Sequence, residues 1–138
     1  MVRPIHSMIA VALLLLTSSP AQAERVQFPI CGSGKRITCM VDGDTLWYQG
    51  VKYRLEGIDA PEKAPRHKCM QEGLQARMAT ERLAEMMSKN DFTITTHGKD
   101  RYGRTLARFH IGDTTAGQML VNEGLAKVWK GRKAEWCH

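Results

Sequence analysis

Val41-Asp42-Gly43-Asp44-Thr45 leads into Tyr53-Arg54-Leu55-Glu56-Gly57-Ile58-Asp59-Ala60-Pro61-Glu62, and Asp100-Arg101-Tyr102-Gly103-Arg104 follows further along the chain. Asp42 and Asp44 are two apart, so on an extended backbone they face the same way. Clustered carboxylates repel unless a cation sits between them. Carboxylates beside turns suit a hard cation such as Ca²⁺ or Mg²⁺. Pro61 stiffens the turn that carries both Asp59 and Glu62. Arginines grip a phosphate through two parallel hydrogen bonds. Each piece alone has an ordinary reading. Asp42-Gly43-Asp44 could be a plain turn, Arg54 and Glu56 salt-bridge partners on a solvated face, and Arg101 and Arg104 loop charges. Together and in this order they supply what phosphodiester hydrolysis needs: a cation site, an acid–base carboxylate and two phosphate clamps.

Around these motifs the pattern is mostly β. Residues 37–48 and 51–58 read as strands joined at Gln49-Gly50, with Val51, Tyr53 and Leu55 alternating with Lys52, Arg54 and Glu56. Arg54 therefore points away from Val51 and Leu55. Residues 62–70 form a polar loop holding Lys63, Arg66 and Lys68. A helix is predicted over about 71–88, because Ala76, Ala79, Leu83, Met86 and Met87 make one apolar stripe. Arg77, Glu81, Glu85 and Ser88 lie opposite, and Asn90 ends it. Phe92 to Thr96 reads as a strand, His97 to Gly103 as a charged turn, and Thr105 to Ile111 as the returning strand. Ala107, Phe109 and Ile111 share a face of that strand. Thr114 or Thr115 caps a short helix to Glu123, with Gly124 at C′, and Leu125 to Trp129 is a last strand. The order βββ-α-ββ-α-β suggests a partly closed barrel rather than a sandwich.

Residues 1–23 read as a secretory signal peptide. Arg3 stands in a polar start, Met8 to Leu16 is apolar, and Ala21-Gln22-Ala23 is a small-residue cleavage site. The apolar run is shorter than the roughly 20 residues a membrane helix needs. Cleavage leaves residues 24–138 as one domain without stable membrane association. The net charge is +6, and the leader contributes only Arg3, so +5 remains. A basic exported domain suits a polyanion such as nucleic acid or acidic polysaccharide, and charge alone does not choose. Cys31, Cys39, Cys69 and Cys137 all survive cleavage, and an even count in an exported protein argues for disulfides. Four cysteines allow three pairings. Gly32-Ser33-Gly34-Lys35 can turn the chain back, which favours Cys31–Cys39 and leaves Cys69–Cys137. A zinc site is the alternative, without a Cys-x-x-Cys pair to support it. Trp47, Trp129 and Trp136 read as packing residues and the histidines as surface groups.

The ordered set resembles the staphylococcal nuclease (thermonuclease) family over roughly residues 37–130. Leu120-Val-Asn-Glu-Gly-Leu-Ala-Lys-Val128 joins the motifs above in that likeness. The resemblance implies a five-stranded OB-type β-barrel with two packed helices and a monomeric nuclease that acts on DNA and RNA, single strands preferred. It implies Ca²⁺ held by Asp44, Asp59 and the carbonyl of Ala60, where many relatives have Thr. Glu62 would position or deprotonate water, and Arg54 and Arg104 would hold the scissile phosphate. Asp42 and Thr45 would shape the metal loop, and Tyr102 would lie beside the nucleotide's phosphate. Two alternatives are a non-catalytic OB-fold binding module and an exported factor acting on acidic polysaccharide. The chain departs from the family pattern after Lys130, where the long final helix and the tyrosines that some relatives place against the base are not reproduced.

Overall fold

The computed structural model describes residues 25–138, so the leader read at 1–23 lies outside the described residues. Five strands form the main sheet path: β1 (Cys39–Asp42), β2 (Thr45–Tyr48), β3 (Val51–Leu55), then β6 (Thr105–Ile111) and β5 (Thr93–Lys99). All neighbours are antiparallel except β3 and β6, which pair in parallel. A short β7 (Thr114–Thr115) adds to β6. A second ladder joins β4 (Ile58–Asp59) to β8 (Lys127–Val128). The helices are α1 (Met70–Lys89) and α2 (Ala116–Asn122). The five-stranded path with two helices agrees with the OB-type expectation. Among the described residues, no hydrogen-bonded ladder joins β5 back to β1, so the sheet is not a closed barrel.

Three boundaries differ from the sequence reading, each for a local reason. The stretch 37–48 is two strands, because a bulge after Met40 and the turn at Gly43-Asp44 reverse the chain at once. The stretch 51–58 breaks at Gly57, whose φ of 80° redirects Ile58 into the second ladder. The strand expected to end at Thr96 continues to Lys99. Gly98, at φ 74°, allows a one-residue bulge, after which Lys99 pairs with Thr105. Val51 also proves 41% exposed, because it sits at the mouth of the β2–β3 hairpin.

Helix α1 buries the expected stripe: Ala76, Ala79, Leu83, Met86 and Met87 are all at 0–1% exposure. Of these, Leu83, Met86 and Met87 join Phe28, Met40, Leu46, Leu55 and Phe109 in one core. Ala107, Phe109 and Ile111 are likewise buried together on β6. Rings of Phe28, Tyr48 and Phe92 close one end of that core, with centroids 5.5–5.9 Å apart. Thr115 caps α2 by accepting from the Gln118 N–H at 3.1 Å, and Gly124 follows with φ 74°.

Both disulfides form as the sequence suggested: Cys31–Cys39 and Cys69–Cys137, with no free cysteine. The first clamps residues 29–31 along the outer edge of β1, where Cys31 N–H donates to the Met40 carbonyl at 2.9 Å. The second ties the chain's end to the start of α1. Cys69 is also the N-cap of that helix, its Sγ accepting from Glu72 N–H at 3.4 Å. No helix among the described residues is long and apolar enough to cross a membrane.

Among the glycines, Gly43 is the most tightly packed. A Cβ there would stand 2.7 Å from Ala79 Cβ on α1 and 2.9 Å from Ala60 Cβ. Gly43→Ala is therefore expected to cost about 1–3 kcal/mol of stability through overpacking. Gly34→Ala, where the added carbon meets nothing within 4 Å, should cost far less. Urea denaturation of the two variants checks this, and equal midpoints would refute it.

Candidate functional site

Four segments converge at one edge of the sheet. The β1–β2 turn brings Asp42, Asp44 and Thr45; β3 brings Arg54; β4 and the residues after it bring Asp59, Ala60 and Glu62. The β5–β6 turn brings Asp100, Tyr102 and Arg104. An open cleft of about 1030 Å³ is lined by Asp42, Asp44, Arg54, Glu62, Tyr102 and Arg104 among others. Thr45 pairs with Arg54 across β2 and β3, which puts the turn and the arginine side by side. Asp59 and Ala60 lie behind the cleft wall, at 1% and 3% exposure.

Asp44 is engaged through both of its oxygens. Its Oδ1 accepts from the Thr45 hydroxyl at 3.0 Å, and its Oδ2 from Ala60 N–H at 3.1 Å. Arg54 Nη1 stands 3.3 Å from that Oδ2. Burial pushes its pKa up, but Arg54 and the hydrogen bonds outweigh burial and hold it below the usual value. Asp42 goes the other way. Burial and the neighbouring Asp44 charge raise it to about 7. Asp59 is also raised, first by burial, against the opposing pull of Ala134 N–H and Lys133.

Arg54 is anchored rather than free. It donates to the carbonyls of Leu55 at 2.8 Å and Ile58 at 2.9 Å, and its Nη2 lies 3.9 Å from Asp59 Oδ1. Glu56 is not its partner: that carboxylate meets His97 at 2.6 Å and Arg108 at 3.4 Å. Arg104 is steered by Asp100, which accepts from its Nε at 2.7 Å and its N–H at 3.0 Å. Arg104 Nη1 reaches Thr45 Oγ1 at 3.4 Å. Asp100 itself is lowered: the Arg104 and Tyr102 contacts overcome the upward push of burial. Tyr102 is 68% exposed, with the Arg101 and Arg104 guanidiniums 4.9 and 5.4 Å from its ring centroid.

Glu62 is held from several sides. Its N–H donates to Glu72 Oε1 at 3.1 Å, Arg66 Nε lies 3.1 Å from its Oε2, and Lys133 contacts its Oε1. Glu72 and Lys133 are supports that the sequence reading did not single out, and Asp100 was quoted in its motif without a role. Glu72 was accessible in principle, since Cys69-x-x-Glu72 has the spacing of a capping box. Its buried carboxylate accepts from Lys68 N–H at 2.7 Å as well as from Glu62. Lys133 carried no local signal.

The donor set suits a hard cation. It is all oxygen, and Asp59 Oδ1 is buried without a hydrogen-bond donor, which leaves its lone pairs open to a cation. Among the described residues, no three acidic, thiol or imidazole side chains converge on one point. Two aspartates would hold such an ion, with backbone carbonyl and water completing the shell.

Residues 52–136 match the family model described as "Staphylococcal nuclease homologue". The matched span takes in Arg54, Asp59, Glu62 and Arg104 but begins after the Asp42–Thr45 turn. A Shigella flexneri protein named "Micrococcal nuclease" is 31% identical, over 88% of this chain and 68% of its own length. An Escherichia coli protein named "Uncharacterized endonuclease" is 30% identical, over 69% of this chain and 60% of its own length. A Haemophilus influenzae protein of the same name is 28% identical, over 70% of this chain and 48% of its own length. The chain thus spans about half to three fifths of the "Uncharacterized endonuclease" relatives it matches.

The raised Asp42 has a consequence in the metal-free protein. Its folded value near 7 exceeds the unfolded 3.8, so the folded state keeps a proton that the unfolded state has released. Stability in chelator should fall as pH rises from about 4 to about 7, then level off. The lowered Asp44 acts only below its unfolded value of 3.8 and does not mask this. Asp42→Asn should flatten most of the fall, leaving a smaller slope from the raised Asp59. Thermal melts from pH 4 to 8 test it, and a slope unchanged in the Asn variant would count against the assignment.

Proposed function

The chain belongs to the staphylococcal nuclease family, and on that premise we propose that it is an exported Ca²⁺-dependent nuclease. It hydrolyses phosphodiester bonds of DNA and RNA, prefers single strands, has little sequence preference and works as a monomer after loss of residues 1–23. The observation that carries the reading is the pair of guanidiniums flanking one carboxylate turn: Arg54 at 3.3 Å from Asp44 and Arg104 at 3.4 Å from Thr45. Nuclease-named relatives and two disulfides, which suit an oxidising compartment, support it.

Asp44, Asp59 and the carbonyl of Ala60 would hold the cation, and Asp42 and Thr45 would shape its loop. A bound ion would supply Lewis-acid positive charge beside the phosphate. Arg54 and Arg104 orient the phosphate and stabilise charge that builds on its oxygens. Tyr102 rests beside the nucleotide. Glu62 takes a proton from water as the water oxygen bonds to phosphorus. The P–O5′ bond breaks, the 5′-oxygen takes up a proton, and a 3′-phosphate end remains. A single strand fits better, because drawing a phosphate between two anchored arginines needs a deformable backbone.

Digestion of single-stranded DNA should stop in chelator and return with Ca²⁺ more than with Mg²⁺, which demands near-ideal octahedral geometry. Full activity in chelator would overturn the metal reading.

Arg104→Lys should lower turnover by about a hundredfold, the scale on which one transition-state donor acts. Lysine keeps the charge and loses the planar fork. Arg101→Lys should do far less, since Arg101 bonds only the exposed Tyr102 hydroxyl. Equal losses at both positions would show the wrong arginine has been chosen.

A further inference from the structure

Residues 131–137 fold back across the carboxylates instead of trailing from the body. Gly131, at φ 78°, turns the segment inward. Trp136 is buried, with the Lys127 ammonium 4.4 Å from its ring centroid. Cys137 is bonded to Cys69 at the head of α1. The segment is thus fixed at both flanks of Lys133 and Ala134, and those two residues face the site. Ala134 N–H donates to Asp59 Oδ2 at 2.9 Å. Lys133 Nζ contacts Glu62 Oε1 and lies 4.0 Å from Asp59 Oδ1, the buried oxygen that has no hydrogen-bond donor.

We propose that Lys133 is a built-in cation of this site, which balances Asp59 and Glu62 in the metal-free protein and which an arriving divalent ion must displace. The inference rests on the metal reading given above. Neighbouring cations do not fill this role. The Arg54 side chain is only 12% exposed and is tied to two backbone carbonyls, so it stays in place. Arg66 faces Glu62 Oε2 and Asp42 Oδ2, at 3.1 and 3.9 Å, on the outer side. The Lys133 side chain is 58% exposed on a flexible stem, so it can leave without disturbing the core. Its backbone is held, so it returns to the same carboxylates when the ion departs. Because one ammonium and one divalent ion compete for Asp59 Oδ1, metal affinity reports the contest directly.

Calorimetric titration of the oxidised protein with Ca²⁺ tests this. Lys133→Gln should bind Ca²⁺ about two- to fivefold tighter, the range a partly exposed ion pair supplies. Lys133→Arg, which keeps the charge, should bind as the parent does. Lys130→Gln removes the same charge from the exposed stretch just before the strap and should also bind as the parent does. A Lys133→Gln affinity no tighter than that of Lys130→Gln overturns the proposal, as does an Arg variant that behaves like Gln. If the parent binds Ca²⁺ and Lys133→Gln is unchanged, the competition alone fails. If neither the parent nor any variant binds Ca²⁺, the metal reading fails with it.

Discussion

Three small residues meet where the site is built. Gly43 in the β1–β2 turn has no room for a side chain, because Ala79 on α1 and Ala60 after β4 already occupy that space. The contact presses the carboxylate turn against the helix on one side and the Asp59–Glu62 segment on the other. Asp44 can reach the Ala60 N–H at 3.1 Å only because nothing larger stands between the two backbones. The site's geometry is therefore fixed by close packing of main chain, with the density of a protein interior, rather than by mobile loops. Ala60 fits the same account: it is 3% exposed and faces Gly43, so a bulkier residue there would have to move the turn.

Burying Asp42, Asp44 and Asp59 together carries a large desolvation cost, and each carboxylate offsets it differently. Asp44 keeps its charge through Arg54 and fixed hydrogen bonds. Asp42 gives up its charge over much of the acid range by holding a proton. Asp59 is satisfied on one oxygen by Ala134 N–H and is left with the other facing only distant cations. That oxygen takes no hydrogen bond and meets positive charge only at 3.9 Å from Arg54 and 4.0 Å from Lys133. Arg54 is held off that oxygen at 3.9 Å, because one N–H on each Nη is fixed on the carbonyls of Leu55 and Ile58.

Much of this was legible in the sequence where one local rule acts alone. The α1 stripe follows from helical spacing, and all five of its residues are buried. The cap and stop of α2 follow from Thr115 and Gly124. Cys31 and Cys39 flank a turn and do pair. Reading failed where a single glycine changed direction or register. Gly57 sends Ile58 to another ladder, and Gly98 bulges β5 so that pairing outlasts the run of β-branched residues. The motif residues were visible, since Asp42, Asp44, Arg54, Glu62 and Arg104 share one cleft. Two of their supports were not, because Glu72 and Lys133 matter only through what the fold brings beside them, whereas Asp100 acts inside the quoted turn on Tyr102 and Arg104.

Glu62 shows why those supports cannot be read locally. Its backbone is held by Glu72, whose place in the first turn of α1 depends on Cys69 as N-cap. Its side chain is met by Lys133, whose segment ends at Cys137. Cys69 and Cys137 are one disulfide, so both restraints on Glu62 share one covalent anchor although 68 residues separate the two cysteines. A helix start alone would fix the backbone and leave the carboxylate to Arg66 on its outer side. The irregular segment 131–137, without the disulfide, would hold Lys133 in place only through the buried Trp136 and the Ala134 N–H bond to Asp59. Joined, they hold the carboxylate in a set orientation against one mobile ammonium, which makes the segment after Lys130 a wall of the site.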